Sequence, residues 1–108
     1  MKKIVEFFNR EQNLLIHFCA AIIVIVFSFI FKLSKIEWLF IIFSIGFVIT
    51  TELINSAIEL ATDNYTRKFN KLAMIAKDTA ASAVVIAAIN SVIVGIYVFL
   101  PKIMAFIK

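Results

Sequence analysis

LLIHFCAAIIVIVFSFIF, residues 14–31, decides the fold. Only His17 and Ser28 interrupt this apolar run. Its length is close to the ~20 residues that carry a helix across the hydrocarbon core of a bilayer. A strand does not fit, because an open sheet edge leaves backbone polar groups unsatisfied in lipid. Two further runs repeat the pattern. Trp38 to about Leu60 opens on an interfacial aromatic, and Thr79 to Leu100 carries Tyr97 near its end. Pro101 is expected to stop that last helix.

Polar sequence separates the runs. Lys32 to Glu37 is a short turn, and Asp63 to Asp78 is the one substantial polar segment. Residues 1–13 read as an amphipathic surface helix that offers Ile4, Val5, Phe7 and Phe8 to the lipid. The expected fold is therefore all-α and integral to the membrane. It has three transmembrane helices (about 14–31, 38–60 and 79–100) and an N-terminal surface helix in one domain over residues 1–108.

Composition agrees. The 108 residues are 63% hydrophobic, with a mean hydropathy of +1.03, above the ~45–50% apolar fraction of soluble domains. A water-soluble chain this short could not bury so much apolar surface. Two glycines and one proline leave no room for a linker or a Gly-rich phosphate loop. The formal charge of +4 comes from cations placed at the ends of apolar runs. That placement argues for membrane anchoring and against nucleic-acid binding. Cys19, the single cysteine, has no partner for an internal disulfide. A cleaved signal is not expected either. Polar residues from Asn9 to Asn13 separate Lys2 and Lys3 from the first apolar run, and no A-x-A-like site follows.

Three spans put the N-terminus and the 63–78 segment on one side. Lys2, Lys3, Arg10, Arg67, Lys68, Lys71 and Lys77 lie there, against Lys32, Lys35, Lys102 and Lys108 on the other. The bias predicts that the first side is cytoplasmic, where ATP is present.

Within the second run, TELINSAIELATD, residues 51–63, carries the chemistry. At about 100° per residue, Glu52, Asn55, Glu59 and Asp63 project within about 80° of one another, on one stripe. At about 1.5 Å per residue that stripe is roughly 16 Å long. It climbs from inside the membrane toward the cytoplasmic edge. An ionisable residue near the bilayer centre costs about 2.5–3.5 kcal/mol on the insertion scale, so aligned carboxylates need an offsetting partner. Mg²⁺ suits them, since it takes hard oxygen ligands and shares its shell with phosphate. Lys77 could add positive charge for a polyphosphate. The candidate chemistry is phosphoryl transfer, with Glu52, the deepest carboxylate, as general base.

Plainer readings exist for each residue alone. Asp63 could mark a helix end, Asn55 an interhelical hydrogen bond, and Lys77-Asp78 an anchor and cap opening the third span. Glu11 alone reads as solvated, and His17 as a packed polar residue. The alignment of four is harder to dismiss. A proton-coupled transporter needs one isolated carboxylate, and a structural oligomer needs no acid as deep as Glu52.

At these residues the chain resembles the prokaryotic diacylglycerol kinase and undecaprenol kinase family of membrane lipid kinases. The carriers are Glu52-Leu-Ile-Asn-Ser-Ala-Ile-Glu59, Asp63, Ala76-Lys-Asp78, and Glu11-Gln-Asn13 with His17. The resemblance implies a homotrimer in the bacterial inner membrane, using ATP and Mg²⁺ to phosphorylate a lipid alcohol at sites shared between subunits. It implies metal and nucleotide binding by Glu11 and Glu59, and places Glu52 where it accepts the lipid hydroxyl proton. It implies nucleotide contact or support from Asn55, Asp63, Lys77 and Asp78. Leu15 and Asn70 depart from the family, standing where relatives commonly have Arg and His. The short 32–37 turn and the Tyr97–Pro101 ending favour undecaprenol over diacylglycerol as acceptor.

Overall fold

The computed structural model describes residues 12–65 and 70–107. They form three helices: α1 (Gln12–Ile30), α2 (Lys35–Tyr65) and α3 (Lys71–Ile107). No strand occurs among the described residues. All three helices are long and apolar enough to cross a membrane. The run Ile22-Ile-Val-Ile-Val26 would favour a strand in water. In lipid the backbone must satisfy its own hydrogen bonds, and this requirement overrides the β-branched preference. The surface helix expected over residues 1–13 lies outside the described residues, apart from Gln12 and Asn13, which begin α1.

The turn between α1 and α2 is fixed by local chemistry. Lys32 takes a left-handed conformation, φ 54°. Its N–H donates to the Phe29 carbonyl, and the Leu33 N–H reaches back to Ser28, both at 3.3 Å. This is the Schellman pattern that satisfies the last carbonyls of a helix. Two residues later a capping box starts α2. Glu37 N–H donates to Ser34 Oγ at 3.2 Å, while Ser34 N–H donates to Glu37 Oε1 at 2.9 Å.

At the other end both helices run further than the apolar pattern suggests. α2 continues past Leu60 to Tyr65, and α3 begins at Lys71 instead of near Lys77 or Thr79. Asn70 is the reason on the α3 side. Its Oδ1 accepts from Ala73 N–H at 3.1 Å, and its carbonyl accepts from Met74 N–H. Lys77-Asp78 therefore sits well inside a helix and caps nothing. The expected stop at Pro101 is also wrong, since α3 passes through it to Ile107. Proline removes one backbone donor, a loss that membrane helices tolerate where their surroundings re-satisfy the freed group.

α2 is the central element, with α1 and α3 both packed on it and α3 the more extensively. The inner face of α3 follows alternating three- and four-residue steps: Lys77, Ala80, Val84, Ala87, Ser91, Val94, Val98 and then Lys102. Ala80 and Ala87 are buried. Small side chains let the two backbones approach closely, and Ser91 Oγ–H donates across the interface to the Ser44 carbonyl. The stripe ends in a lysine on each side. Lys102 Nζ meets Glu37 at 3.0 Å, and Lys77 Nζ meets Asp63 at 2.8 Å. Between these pairs, Leu33, Ile41 and Val98 form an apolar core flanked by Phe31, Trp38 and Phe99.

Candidate active site

The polar stripe lies on the C-terminal half of α2, where His17 of α1 approaches Glu52 and Lys77 of α3 meets Asp63. If Trp38 marks one interface, Glu52 stands about 21 Å along the helix axis from it and Glu59 about 32 Å. A hydrocarbon core about 30 Å thick thus leaves Glu52 inside the membrane and Glu59 at its edge. Burial follows the same order. Glu52 is 3% exposed and Asn55 8%, Glu59 is half-buried, and Asp63 is exposed. The carboxylates therefore form a ladder from a dry environment to a wet one.

Each rung has its own partners. The imidazole Nε2 of His17, on α1, lies 3.8 Å from Glu52 Oε2. Asn55 Nδ2–H donates a long hydrogen bond, 3.4 Å, to Glu59 Oε1 one turn above. Asn55 Oδ1 is buried and has no hydrogen-bond partner among the described residues. A buried acceptor left this way carries a desolvation penalty, so Asn55 Oδ1 can take a donor or cation from outside the described residues. At the top, the Asp63–Lys77 pair ties α2 to α3. Both groups are exposed, so the pair orients more than it stabilises. Asp78 is exposed beside it, its carbonyl accepting from Ser82 Oγ.

Six of the residues singled out from sequence are thus placed at one end of the bundle, with Asp63 and Lys77 in direct contact and Asn55 bonded to Glu59. Asp78 shares the end without touching them through a hydrogen bond or ion pair that the structure defines. Glu11 lies outside the described residues. Among the described residues no three carboxylate, histidine or cysteine side chains converge on a point. Magnesium does not require such a cage. It is usually held by one or two carboxylates, water and substrate phosphate. The half-buried Glu59 carboxylate and the side-chain Oδ1 of Asn55 are hard oxygen donors of the right kind, so the residues fit the ion.

His17, read from sequence as a packed polar residue, lies half-buried on the inner face of α1, where it approaches Glu52. The signal was present in the spacing of Leu14, His17, Ala21, Val24 and Ser28, steps of three and four that define the inner face of α1. Leu14, Ala21 and Ser28 are buried on that face, and His17 shares it.

Comparison with known proteins places these features in context. The sequence matches the prokaryotic diacylglycerol kinase family over residues 1–99. An undecaprenol kinase of Bacillus subtilis is 44% identical over 94 residues, covering 87% of this chain and 76% of that protein. A diacylglycerol kinase of Synechocystis sp. is 34% identical over 99 residues, covering 91% of this chain but 57% of the relative.

Proposed function

This chain belongs to the prokaryotic diacylglycerol kinase family and is a phosphotransferase with an alcohol acceptor, and on that premise we propose that it moves the γ-phosphoryl group of ATP to undecaprenol, giving undecaprenyl phosphate. Diacylglycerol is the second reading. The ladder of carboxylates from buried Glu52 to exposed Asp63 carries the proposal, because it offers a dry end to a membrane alcohol and a wet end to a nucleotide. The preference for the polyprenol rests on the 44% identity to the Bacillus subtilis enzyme.

Glu52 accepts the proton of the lipid hydroxyl, a task suited to a carboxylate removed from water. Glu59, with Glu11, would hold Mg²⁺, with Asn55 Oδ1 available as a further oxygen donor, and the ion when bound would supply the charge neutralisation that phosphoryl transfer asks for. Lys77, held by Asp63, presents its ammonium to phosphate oxygens, and Asp78 supports the nucleotide end. No G-x-x-x-x-G-K-[ST] loop takes part, so the nucleotide is gripped by helices.

Three thin helices do not enclose this ladder, and large apolar side chains such as Phe43, Phe29 and Leu72 stand exposed around the bundle. A homotrimer in the bacterial inner membrane would account for the open site, and a cytoplasmic N-terminus and 63–78 segment for the cation bias. For the orientation, a Lys71→Cys, Cys19→Ser variant should react with impermeant thiol reagents only after cells are opened. Reaction in intact cells would reverse it.

The proposal is tested with purified protein, labelled ATP, Mg²⁺, and equal amounts of undecaprenol and dioleoylglycerol in mixed micelles. Label should enter undecaprenyl phosphate. Label confined to phosphatidic acid would move the assignment to the second reading, and label in neither lipid would end it.

A further inference from the structure

An apolar track begins beside Glu52 and runs down the bundle, away from the nucleotide end. Its first part is a cavity of about 160 Å³ with His17 at its rim, 3.8 Å from the Glu52 carboxylate. On α2 the wall is Ile49, Val48 and Ile45, which stand three, four and seven residues before Glu52 on the same helix face. At about 1.5 Å per residue the cavity spans roughly 5 to 10 Å below the carboxylate. On the other two helices the wall is made of small side chains, Ala21 on α1 and Ala88 on α3.

The track continues past this cavity. A second space of about 360 Å³ lies between α2 and α3 and reaches Leu100 and Ile103. Val24, Ile45 and Ser91 line both spaces, so the two adjoin. Gly95 forms part of the second wall, and a Cβ added there would meet nothing within 4 Å. The backbone of α3 is itself the wall at that point, which keeps the track wide. Among the described residues, His17 is the one titratable side chain that lines either space. Ser91 Oγ–H is turned to the Ser44 carbonyl, so it offers no free donor.

These walls favour one kind of lipid. An apolar cavity of about 150 Å³ stays dry and accepts a benzene-sized hydrocarbon, and an isoprene unit is of similar size. A prenol carries such a unit directly on its hydroxyl carbon, so the unit enters the cavity when the hydroxyl stands at Glu52. Diacylglycerol carries ester groups there instead. Their carbonyls would lie against Ala, Val and Ile side chains, and buried acceptors without donors carry a desolvation penalty. We propose that this track seats the isoprenoid chain of the acceptor, with Ala88 setting the room for its first unit and Gly95 the room for units further along. The proposal rests on the reading of the protein as a prenol kinase whose acceptor hydroxyl stands at Glu52, and the experiment separates the two.

Full-length Ala88→Leu and Gly95→Leu are compared with the unmodified protein on undecaprenol and on farnesol, a prenol too short to reach Gly95. Ser44, which faces Ser91, lies eight residues from Glu52, and Gly95 lies one turn beyond Ser91, roughly 18 Å from Glu52 along the bundle. A misfit of one methylene in an apolar pocket costs about 10–200-fold. Gly95→Leu should therefore lower the undecaprenol-to-farnesol ratio of kcat/KM by about 10–200-fold. Ala88→Leu should lower kcat/KM for both alcohols together, and the ATP KM should not move in either variant. Leucine is a better helix former than glycine, and thermal unfolding in the same micelles checks the fold of both variants. An unchanged ratio in folded Gly95→Leu, or normal kcat/KM for both alcohols in folded Ala88→Leu, would overturn the proposal. Unmodified protein that phosphorylates dioleoylglycerol and neither prenol would instead remove the prenol-kinase reading, and the track would fall with it.

Discussion

Glu52→Gln is the substitution from which most can be learned. Glutamine has the shape of glutamate and no charge, and Glu52 is 3% exposed, so the change is nearly isosteric in a packed site. Its effect on stability should be neutral or favourable, because an ionisable group at membrane depth costs about 2.5–3.5 kcal/mol on the insertion scale and an amide costs less. A thermal-unfolding profile that overlays that of the unmodified protein should accompany the loss of activity. The defect should not reach the nucleotide. Asp63, which holds Lys77, lies about 16 Å along the helix axis from Glu52. The removed function is proton acceptance from the lipid hydroxyl, worth about 10²–10⁴ in rate, or about 2.7–5.4 kcal/mol of transition-state stabilisation at 1.36 kcal/mol per tenfold. Steady-state kinetics with varied ATP, lipid and Mg²⁺ should show kcat reduced in that range, with the ATP KM and magnesium requirement unchanged. Turnover near that of the unmodified protein, or recovery on adding magnesium, would refute the assignment and leave Glu52 an assembly residue.

Glu59→Gln should give the complementary defect. An amide lacks the charge that competes for a hard cation, so the magnesium and ATP requirements should rise sharply, and a magnesium titration that overlays that of the unmodified protein would exclude Glu59 as a ligand. Subunits carrying Glu11→Ala and subunits carrying Glu59→Ala should each be inactive alone and regain activity when co-assembled, if sites are shared between neighbours. Cross-linking in mild detergent should trap trimers, and a fully active monomer would contradict that arrangement.

The three helices are legible in the sequence because hydropathy needs no partner to be read. Runs such as residues 14–31 state their environment directly. Helix ends are set by finer chemistry. Ser34-Lys-Ile-Glu37 is a capping-box sequence, yet next to Trp38 it reads first as an interfacial turn. Asn70 starts α3 from within a segment whose charge suggests a loop. Pro101 misleads because the rule that proline ends a helix comes from helices in water. Of the site, the Glu52–Asp63 stripe follows from periodicity within one helix. The Lys77–Asp63 contact depends on how α3 packs on α2, and the His17–Glu52 approach depends on α1. Neither separation appears in a single-helix projection. Reading α1 and α3 for alternating three- and four-residue steps recovers both faces, with His17 on one and Lys77 on the other.

The most direct test of the account follows the phosphorus itself. ³¹P NMR of the purified protein with ATP, Mg²⁺ and undecaprenol should show one lipid monophosphate formed for each ADP released, with Glu52→Gln suppressing both signals together. ADP and inorganic phosphate accumulating without a lipid monophosphate would show that the acceptor is water, and would contradict the claim that this carboxylate ladder serves a membrane alcohol.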